Sequence, residues 1–398
     1  MSKIIAVNAG SSSLKFQLFK MPEEEVLTSG NCERIGLPMG KFTIKVNGEK
    51  HSRELEIKDH SVAVKLLLEA LIKYKVVDDL SEINAAGHRI VQGGSYFDQS
   101  VKVDEDVIAK VDELKTLAPL HNPAHLICYK AFKEALPNIE HVFVFDTAFH
   151  QTMGPESYLF PVPLEWYTKY KIRRYGAHGT SHQYVSQRVA ELMGKDIKDL
   201  NIITCHLGNG ASITAIKGGK CINTSMGLTP LGGIMMGTRC GDIDPTVVFY
   251  MMKQLNLTPD EMDTILNKKS GMLGISGISS DSRDVEEAAA NGNERAILTV
   301  DLYANRVINV LGGYVMQLGH VDAIAFTAGL GENNPNLRAR VMDAASELLG
   351  ITYDSKLNEE TYGKEVRLSN DDSKVAVYVV PTDEELVIAR DTQRILGL

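Results

Sequence analysis

The chain contains 398 residues, of which 44% are hydrophobic and 23% are charged, and its formal net charge at pH 7 is −9. A chain of this length is too long for one ordinary hydrophobic core and predicts two domains. The acidic balance disfavours nucleic acid and acidic membranes as partners, because nothing offsets the repulsion of their phosphates. A small anionic substrate would therefore need a local cluster of Arg, Lys and His side chains.

The cysteines and the amino terminus indicate a cytoplasmic protein. The five cysteines are odd in number and include no Cys-x-x-Cys pair, so reduced thiols are the simplest interpretation. The apolar run after Lys3 has only four residues, which is too short for a signal peptide. No stretch reaches the roughly 18 continuous apolar residues that a membrane span requires.

The two halves of the chain show similar patterns of elements. In the first half, the patterns predict strands at 3–8, 14–20, 41–46, 53–57, 84–91 and 141–145, and helices at 60–77, 104–117 and 123–136. In the second half, they predict strands at 171–175, 201–206, 211–217, 322–326 and 375–380, and helices at 182–194, 246–256, 259–268, 294–319, 336–349 and 383–396. Each half begins with antiparallel strands and then alternates strand and helix, which predicts an internally duplicated mixed α/β fold.

A small polar turn between two strands occurs once in each half. The first turn spans Asn8 to Ser13, and the second spans Leu207 to Ser212. A glycine-rich turn whose backbone amides face inward binds anions, so the pair predicts a polyphosphate ligand held between two similar halves. A P-loop would contain Gly-Lys-Ser/Thr and lead into a helix. Here each turn leads into another strand, which argues against a P-loop kinase.

Six segments in order along the chain resemble the signatures of the acetate kinase family, within the acetate and sugar kinase, Hsp70 and actin superfamily. These segments are Asn8 to Lys15, Gly87 to Val91, Arg173 to His182, His206 to Gly210, Thr224 to Pro245, and Phe326 to Asn333. The resemblance implies an internally duplicated two-domain α/β fold of the actin-like ATPase (ribonuclease H-like) type, with a cleft between the domains. The expected division is a substrate and metal domain, 1–150 plus 384–398, and a nucleotide-binding domain, 151–383.

The resemblance also implies roles for three catalytic residues, and the position of a fourth, Asp146, suggests its role. Arg89 would hold the carboxylate substrate, since a guanidinium grips a carboxylate with two parallel hydrogen bonds. Arg239 would stabilise charge on the transferring phosphoryl group, and His178 would hydrogen-bond to it. Asp146 follows a strand, at the edge where α/β folds place ligands. A carboxylate nucleophile is already ionised at pH 7 and needs no general base, so Asp146 is interpreted as orienting Arg and the metal–phosphate assembly, with turn capping as the alternative.

Further residues are implied for the substrate and the nucleotide. The acyl pocket beside Arg89 would be formed by Val91, Leu120, His121, Ala177 and Pro230. The nucleotide would contact Lys15, His206, Leu207, Gly208, Asn209, Gly210, Asp281, Ser282, Arg283, Gly329, Leu330, Gly331, Glu332 and Asn333. For His121, capping a loop is the alternative. Ala177 replaces a Phe that many relatives carry, and the smaller side chain could admit a longer acyl group.

The beginning of the last helix contains two candidate metal ligands. Thr382 and Glu385 have the spacing of a capping box, which predicts that Glu385 begins the helix and leaves Glu384 for the site. The resemblance then makes Glu384 a magnesium ligand together with Asn8, with manganese as a substitute. Magnesium retains several waters, so a sparse set of protein ligands is expected.

The expected activity is the reversible transfer of the γ-phosphoryl group of ATP to acetate by direct in-line attack, giving acetyl phosphate and ADP. The resemblance further implies a homodimer. One alternative is a propionate- or butyrate-preferring acyl kinase of the same fold. Another is an ATP-driven conformational switch of the Hsp70 or actin kind, which would need no paired substrate arginines.

Overall fold

The structure is a computed structural model that describes residues 1–10, 12–119 and 121–398. Ser11 of the predicted first turn and Leu120 of the predicted acyl pocket lie outside the described residues. The chain forms two compact units, residues 1–149 with 383–398, and residues 150–382. None of the described helices is long and apolar enough to span a membrane.

The secondary structure alternates strands and helices in both units. In the described residues the strands are β1 (Ser2–Ala9), β2 (Ser13–Met21), β3 (Glu25–Glu33), β4 (Gly40–Val46), β5 (Glu49–Leu55), β6 (Ile83–Ile90), β7 (Val101–Lys102), β8 (Glu140–Phe145), β9 (Asn201–Leu207), β10 (Ala211–Lys217), β11 (Lys220–Thr224), β12 (Ala323–Thr327), β13 (Val366–Arg367) and β14 (Ala376–Val379). The helices are α1 (His60–Lys73), α2 (Glu105–Glu113), α3 (Asn122–Ala135), α4 (Pro155–Tyr158), α5 (Leu164–Tyr170), α6 (Gly179–Met193), α7 (Pro245–Leu255), α8 (Pro259–Lys268), α9 (Gly271–Ser276), α10 (Ser282–Ala290), α11 (Glu294–Leu318), α12 (Ala328–Asn333), α13 (Pro335–Leu349), α14 (Ser355–Glu360) and α15 (Glu384–Leu396).

The two sheets repeat one topology. The sheet of the first unit has the order β5-β4-β3-β2-β1-β6-β8-β7, and that of the second has the order β11-β10-β9-β12-β14-β13. An antiparallel meander has five strands in the first sheet (β1 to β5) and three in the second (β9 to β11). In both sheets it is followed by two strands parallel to its first strand. Each sheet then ends in a two-residue antiparallel edge strand, β7 or β13. The predicted internally duplicated α/β fold is confirmed.

Each unit has its own hydrophobic core beneath its sheet. In the first unit, Leu67 of α1 and Phe132 of α3 pack with the buried residues of β1, β2 and β4. In the second unit, Val307 of α11 and Val341 of α13 pack with the buried residues of β9, β10 and β12. The amphipathic period of these helices therefore supplies one core-facing surface in each unit.

The last helix belongs to the first unit and packs on β1, β2, β6 and β8. Gly87 of β6 allows this close approach, because a Cβ there would lie 2.2 Å from Thr392 Oγ1 and 2.5 Å from Ile388 Cγ2. Arg390 of the same helix donates from Nε and Nη2 to the carboxylate of Glu24, at 2.6 and 2.8 Å. The glycine of the Gly-His-Arg segment is thus explained by helix packing.

The predicted strand at 171–175 is wrong, because this segment pairs with no described strand of either sheet and the bonds of Arg174 go to the end of α4 and to the residues around the end of β11. The Arg174 amide donates to the Tyr158 carbonyl, and the Arg174 guanidinium donates to the carbonyls of Thr224 and Ser225. Strands β3 and β11 were not predicted. Much of β3 is only partly buried, so its sequence lacks a clear alternation of apolar and polar residues.

Two histidines are buried against each other in the first unit. His88 Nε2 and His141 Nδ1 lie 3.0 Å apart, with Tyr129, Phe132 and Phe143 packed around the rings. The remaining ring nitrogen of each histidine is buried and has no hydrogen-bond partner among the described residues. Burial lowers the pKa of His88 well below its usual value, and burial together with the charge of Lys133 lowers the pKa of His141 to about 4.

This pair predicts acid destabilisation. In the unfolded chain a histidine titrates near 6.5, so below that pH the unfolded state binds protons that the folded state excludes. The free energy of unfolding should therefore fall as the pH falls from about 6.5 towards 4, by roughly 2 kcal/mol at pH 5 for His141 alone. In His141→Phe, the free energy of unfolding should fall less between pH 7 and pH 5 than it does in the unsubstituted chain. Denaturant unfolding at these pH values measures the difference.

His320→Phe is the matched control, because the His320 side chain is 71% exposed. This variant should keep the pH dependence of the unsubstituted chain. An unchanged dependence in His141→Phe would contradict the assignment of the acid sensitivity to the buried pair.

Candidate active site

The ends of three parallel strands bring together Asn8, Arg89 and Asp146 in the first unit. β1 pairs with β6, and β6 pairs with β8, with Arg89 opposite Val144. Asn8 and Arg89 lie one residue before the ends of β1 and β6, and Asp146 directly follows β8. The carboxyl ends of parallel strands lie at one edge of a sheet, which is where α/β folds place ligands.

Arg89 is held in a bidentate ion pair. Its Nε and Nη2 donate to Oδ1 and Oδ2 of Asp146 at 2.9 and 2.6 Å, and its Nη1 donates to Asn8 Oδ1 at 2.9 Å. Burial opposes the charge of Arg89, but the fully buried carboxylate of Asp146 raises the pKa of Arg89 above its usual value. A guanidinium has five N–H donors, so two are left for a ligand after the described protein bonds.

The start of α15 lies beside this cluster. The helix begins at Glu384, and its N-cap is Asp383, whose side chain accepts a hydrogen bond from the Leu386 amide. The predicted capping box of Thr382 and Glu385 is therefore wrong by one residue. Glu385 Oε1 instead accepts a hydrogen bond from Asn8 Nδ2 at 3.3 Å. Burial, followed by the charge of Glu384, raises the pKa of Glu385.

These acidic residues do not form a dense metal cage. Among the described residues, no group of three or more His, Cys, Asp or Glu side chains is arranged to hold a metal ion. The adjacent carboxylates of Glu384 and Glu385, with the amide oxygen of Asn8 nearby, are nevertheless suited to a hydrated divalent cation. Such a cation takes only one or two oxygens from the protein. The raised pKa of Glu385 reflects an electrostatic cost that such a cation would relieve.

In the second unit, the turn between β9 and β10 lies against Arg239 and His178. A Cβ at Gly210 would lie 2.9 Å from Arg239 Nη2 and 3.5 Å from His178 Nε2, so only glycine leaves this approach open. Arg239 Nη1 donates to the Pro230 carbonyl at 2.8 Å. Burial lowers the pKa of Arg239, and in the described part of the chain this guanidinium forms no ion pair. Its charge is thus not compensated in the way that Asp146 compensates Arg89.

His178 is fixed in an unusual backbone conformation. It precedes α6 with φ 61° and ψ 29°, in the left-handed region that non-glycine residues seldom adopt. Its ring stacks on that of His206, with centroids 4.1 Å apart, and Ser181 Oγ lies 2.8 Å from His206 Nδ1. His178, His206 and the glycine turn are therefore brought together.

A polar cavity of about 1000 Å³ opens next to this turn within the second unit. Seven predicted nucleotide residues line it: Asn209, Asp281, Ser282, Arg283, Gly329, Leu330 and Asn333. Its size is at the upper end of the range for ligand pockets. Arg283 donates from Nε and Nη2 to the Asp281 carboxylate, and this pairing lowers the pKa of Asp281 to about 2.

Some predicted nucleotide residues have other evident contacts. Leu207 is fully buried in the core of the second unit. Glu332 Oε1 accepts a hydrogen bond from the Ala328 amide at 2.8 Å and so caps the turn that begins α12. Lys15 belongs to the first unit, where it is exposed on β2 opposite Asn8. The role of each residue in nucleotide binding remains a prediction.

The structure also shows a supporting residue that sequence reasoning missed. Arg338 is fully buried, and it donates to the Gly331 carbonyl, to Asn358 Oδ1 and to the Thr361 carbonyl, at 2.8 to 2.9 Å. Burial lowers the pKa of Arg338 to about 10. This side chain holds α12 at the edge of the polar cavity. An arginine in the middle of the apolar pattern of α13 was the available signal.

The predicted acyl-pocket residues are divided between the units. In the first, Val91 is buried just beyond Arg89, and His121 is the N-cap residue of α3 without a side-chain capping bond. In the second, Ala177 is buried within the core, and the Pro230 carbonyl accepts from Arg239. The composition of the acyl pocket therefore remains a prediction.

The fold and the site together define a two-domain protein of the actin-like ATPase type. Its features are the two repeated sheets, the glycine turn between β9 and β10, and the polar cavity beside that turn. The acetokinase family matches residues 3–390. The acetate kinase of Geobacillus kaustophilus (strain HTA426) is 55% identical over 398 residues, which cover 100% of both chains. The crystal structure of Porphyromonas gingivalis acetate kinase has a TM-score of 0.94 at 47% identity and covers 100% of both chains. A propionate kinase from Francisella tularensis has a TM-score of 0.93 at 39% identity, covering 99% of this chain and 100% of that one.

The chain belongs to the acetokinase family. The predicted family and the predicted fold class are both confirmed by these full-length matches.

Proposed function

We propose that this chain transfers the γ-phosphoryl group of ATP to acetate, reversibly, giving acetyl phosphate and ADP. The observation that carries the proposal is the full-length similarity to acetate kinases, at 55% identity for the Geobacillus protein. The geometry of Arg89 and of the turn at Gly210 supports it. The first unit is assigned to acetate and metal, and the second to the nucleotide.

Arg89 is assigned to the carboxylate of acetate. Asp146 and Asn8 take three of its five N–H donors and hold the plane of the guanidinium, so the remaining two are oriented before the substrate arrives. Acetate is ionised at neutral pH and attacks without losing a proton, which explains why Asp146 need not act as a base. Asp146 is the residue that orients Arg89.

Arg239 and His178 are assigned to the transferring phosphoryl group. Catalysis of phosphoryl transfer depends on positioning and on positive charge around the equatorial oxygens. The Arg239 guanidinium is suited to this because its described hydrogen bond goes to a neutral carbonyl, that of Pro230. The backbone amides of Gly208 to Gly210 would bind the phosphates, and ADP would occupy the polar cavity beside Asp281 and Arg283.

Magnesium is assigned to Glu384 and Asn8, with the remaining ligands supplied by water and phosphate. When held there, the ion would supply positive charge that offsets the charge of the phosphates. Asn8 already accepts from Arg89 and donates to Glu385, so its oxygen is held in one orientation. Manganese is the expected substitute.

Acetate is favoured over longer acids by the names of similar relatives, but a propionate kinase has nearly the same fold. Val91, His121, Ala177 and Pro230, with Leu120, are the residues that we assign to the acyl pocket. The small Ala177 side chain supports some use of propionate. Phosphorylation of acetate, propionate and butyrate measured side by side decides the preference, since one methylene is worth roughly 1–3 kcal/mol in an apolar pocket.

We further propose a homodimer formed through α7. No residue of this helix is buried, and Val247, Phe249, Tyr250 and Leu255 are 48% to 62% exposed. Exposed apolar patches of this kind mark interaction surfaces. Phe249→Glu should shift the mass in sedimentation equilibrium from two chains to one, whereas Tyr170→Glu, at an exposed aromatic residue on α5, should not. A monomeric unsubstituted chain would contradict the proposal.

Arg89→Lys tests the carboxylate site while retaining a positive charge next to the buried Asp146. A lysine cannot provide the planar fork, so kcat/KM for acetate should fall roughly 30-fold, which corresponds to a loss of about 2 kcal/mol in transition-state stabilisation. The KM for ATP should change little. Steady-state formation of acetyl phosphate measures this effect.

Arg188→Lys is the control, because Arg188 makes a similar bidentate pair with Glu365 on the surface of the second unit. It should leave kcat/KM unchanged. Normal acetate kinetics in Arg89→Lys would refute the assignment, and ATP hydrolysis without acetyl phosphate would instead favour a conformational switch.

Glu384→Gln should raise the magnesium concentration required for half-maximal activity by about tenfold or more, since a metal contact loses its charge. Glu385→Gln should have a smaller effect, because Glu385 orients Asn8 instead of the ion. Glu294→Gln, at the equivalent first position of α11, is the control. A larger effect in Glu385→Gln would transfer the metal contact to that residue.

A further inference from the structure

Four side chains of the second unit form a continuous hydrogen-bonded chain that includes His178. Thr204 Oγ1 lies 2.7 Å from His182 Nδ1, and His182 Nε2 lies 2.8 Å from Ser212 Oγ. Ser212 Oγ lies 2.8 Å from His178 Nδ1. Thr204, His182 and Ser212 are fully buried, so each proton in the chain needs a partner within the protein.

One direction of proton donation satisfies every group. The Thr204 hydroxyl donates to His182 Nδ1, and the other nitrogen of that neutral ring, Nε2–H, donates to Ser212 Oγ. The Ser212 hydroxyl then donates to His178 Nδ1. A neutral imidazole has one donor and one acceptor nitrogen, so His178 carries its proton on Nε2.

The opposite direction leaves a buried donor without an acceptor. If His178 Nδ1–H donated to Ser212, the Ser212 hydroxyl would donate to His182 Nε2, and His182 Nδ1–H would donate to Thr204. The Thr204 hydroxyl proton would then have no acceptor, since His182 is its only side-chain partner among the described residues. An unsatisfied buried donor is costly, so this direction is disfavoured.

A mixed arrangement fails for a similar reason. If His178 and His182 both donated to Ser212 Oγ, the Ser212 hydroxyl proton would have no acceptor. In the described part of the chain, those two histidines are the hydrogen-bond partners of the Ser212 side chain. Burial, and then the nearby His150 and His206, lower the pKa of His182 well below its usual value, so this ring is neutral. It therefore has one donor and one acceptor nitrogen, and the donation from Thr204 fixes the donation to Ser212.

We propose that Thr204, His182 and Ser212 are positioning residues that fix His178 as the neutral tautomer with its proton on Nε2. This atom lies on the side of the Gly210 turn, 3.5 Å from the place that a Cβ would occupy there. The fixed tautomer presents an N–H donor to a phosphoryl oxygen without proton rearrangement during transfer. The inference rests on the proposed function for the use of that donor, but not for the tautomer itself.

The tautomer is tested on the full chain without nucleotide, by NMR with ¹⁵N-labelled histidine. His178→Gln and His182→Gln identify the signals of the two rings. Nδ1 of both rings should have the shift of an unprotonated nitrogen, and Nε2 of both should carry a proton. A proton on His178 Nδ1 would overturn the proposal, whether or not the chain phosphorylates acetate.

Substitution along the chain provides the second test. Ser212→Ala removes the donor to His178 Nδ1, so the two tautomers of His178 should become mixed and kcat should fall about tenfold, with the KM values for ATP and acetate little changed. Ser212→Thr keeps the hydroxyl and should restore both the single tautomer and most of kcat.

Thr204→Val tests transmission, because it removes only the distant hydroxyl from a side chain of the same shape. His182 then loses its donor, and a change in the His178 signals is expected although Thr204 does not contact His178 directly. If Thr204→Val and Ser212→Ala both fold and leave the His178 signals and kcat unchanged, the chain does not set the tautomer. If Ser212→Ala does not fold, the signals of the unsubstituted chain still decide the question.

Discussion

A guanidinium can be buried without a large loss of stability only if an acceptor of matching geometry lies in its plane, and in the first unit this requirement organises the candidate site. Arg89 at the end of β6 is paired with Asp146, which follows the neighbouring parallel strand. Asn8 from β1 completes the arrangement and connects it to Glu385 at the start of α15. The strand order that brings these residues to one edge is therefore inseparable from the chemistry that we assign to Arg89.

The second unit repeats the sheet but meets a different electrostatic demand. Its central groups are histidines and hydroxyls, and the described hydrogen bond of Arg239 goes to the neutral carbonyl of Pro230. A compensated arginine suits a site that must hold its guanidinium in one orientation. An arginine without a carboxylate partner suits a site where negative charge is to be stabilised, since no competing anion must be displaced. The duplicated fold thus supports two candidate sites, one with an arginine paired to a carboxylate and one with an arginine bonded to a neutral carbonyl.

Much of this could be read from the sequence, because the signals are local. The period of α11 predicted that long helix to within a residue at each end, and the hairpin of β9 and β10 was predicted with its glycine turn. The six family segments contain Arg89, His178 and Arg239, and Asp146 was singled out by its place directly after a predicted strand. The family and the duplicated fold followed from these features.

Other features depend on partners far apart in the chain, and only the tertiary structure decided them. The helix cap was predicted at Thr382 and Glu385 from spacing alone, whereas Asp383 caps α15 and Glu385 bonds to Asn8, 377 residues away. The hydrogen-bond partners of the buried Arg338, and those that join Thr204 to His178, were likewise absent from any local pattern. Local sequence determined the elements and the chemical groups, because periodicity and capping act over a few residues. Packing decided which groups meet and in which protonation state, because burial forces each donor to find its acceptor.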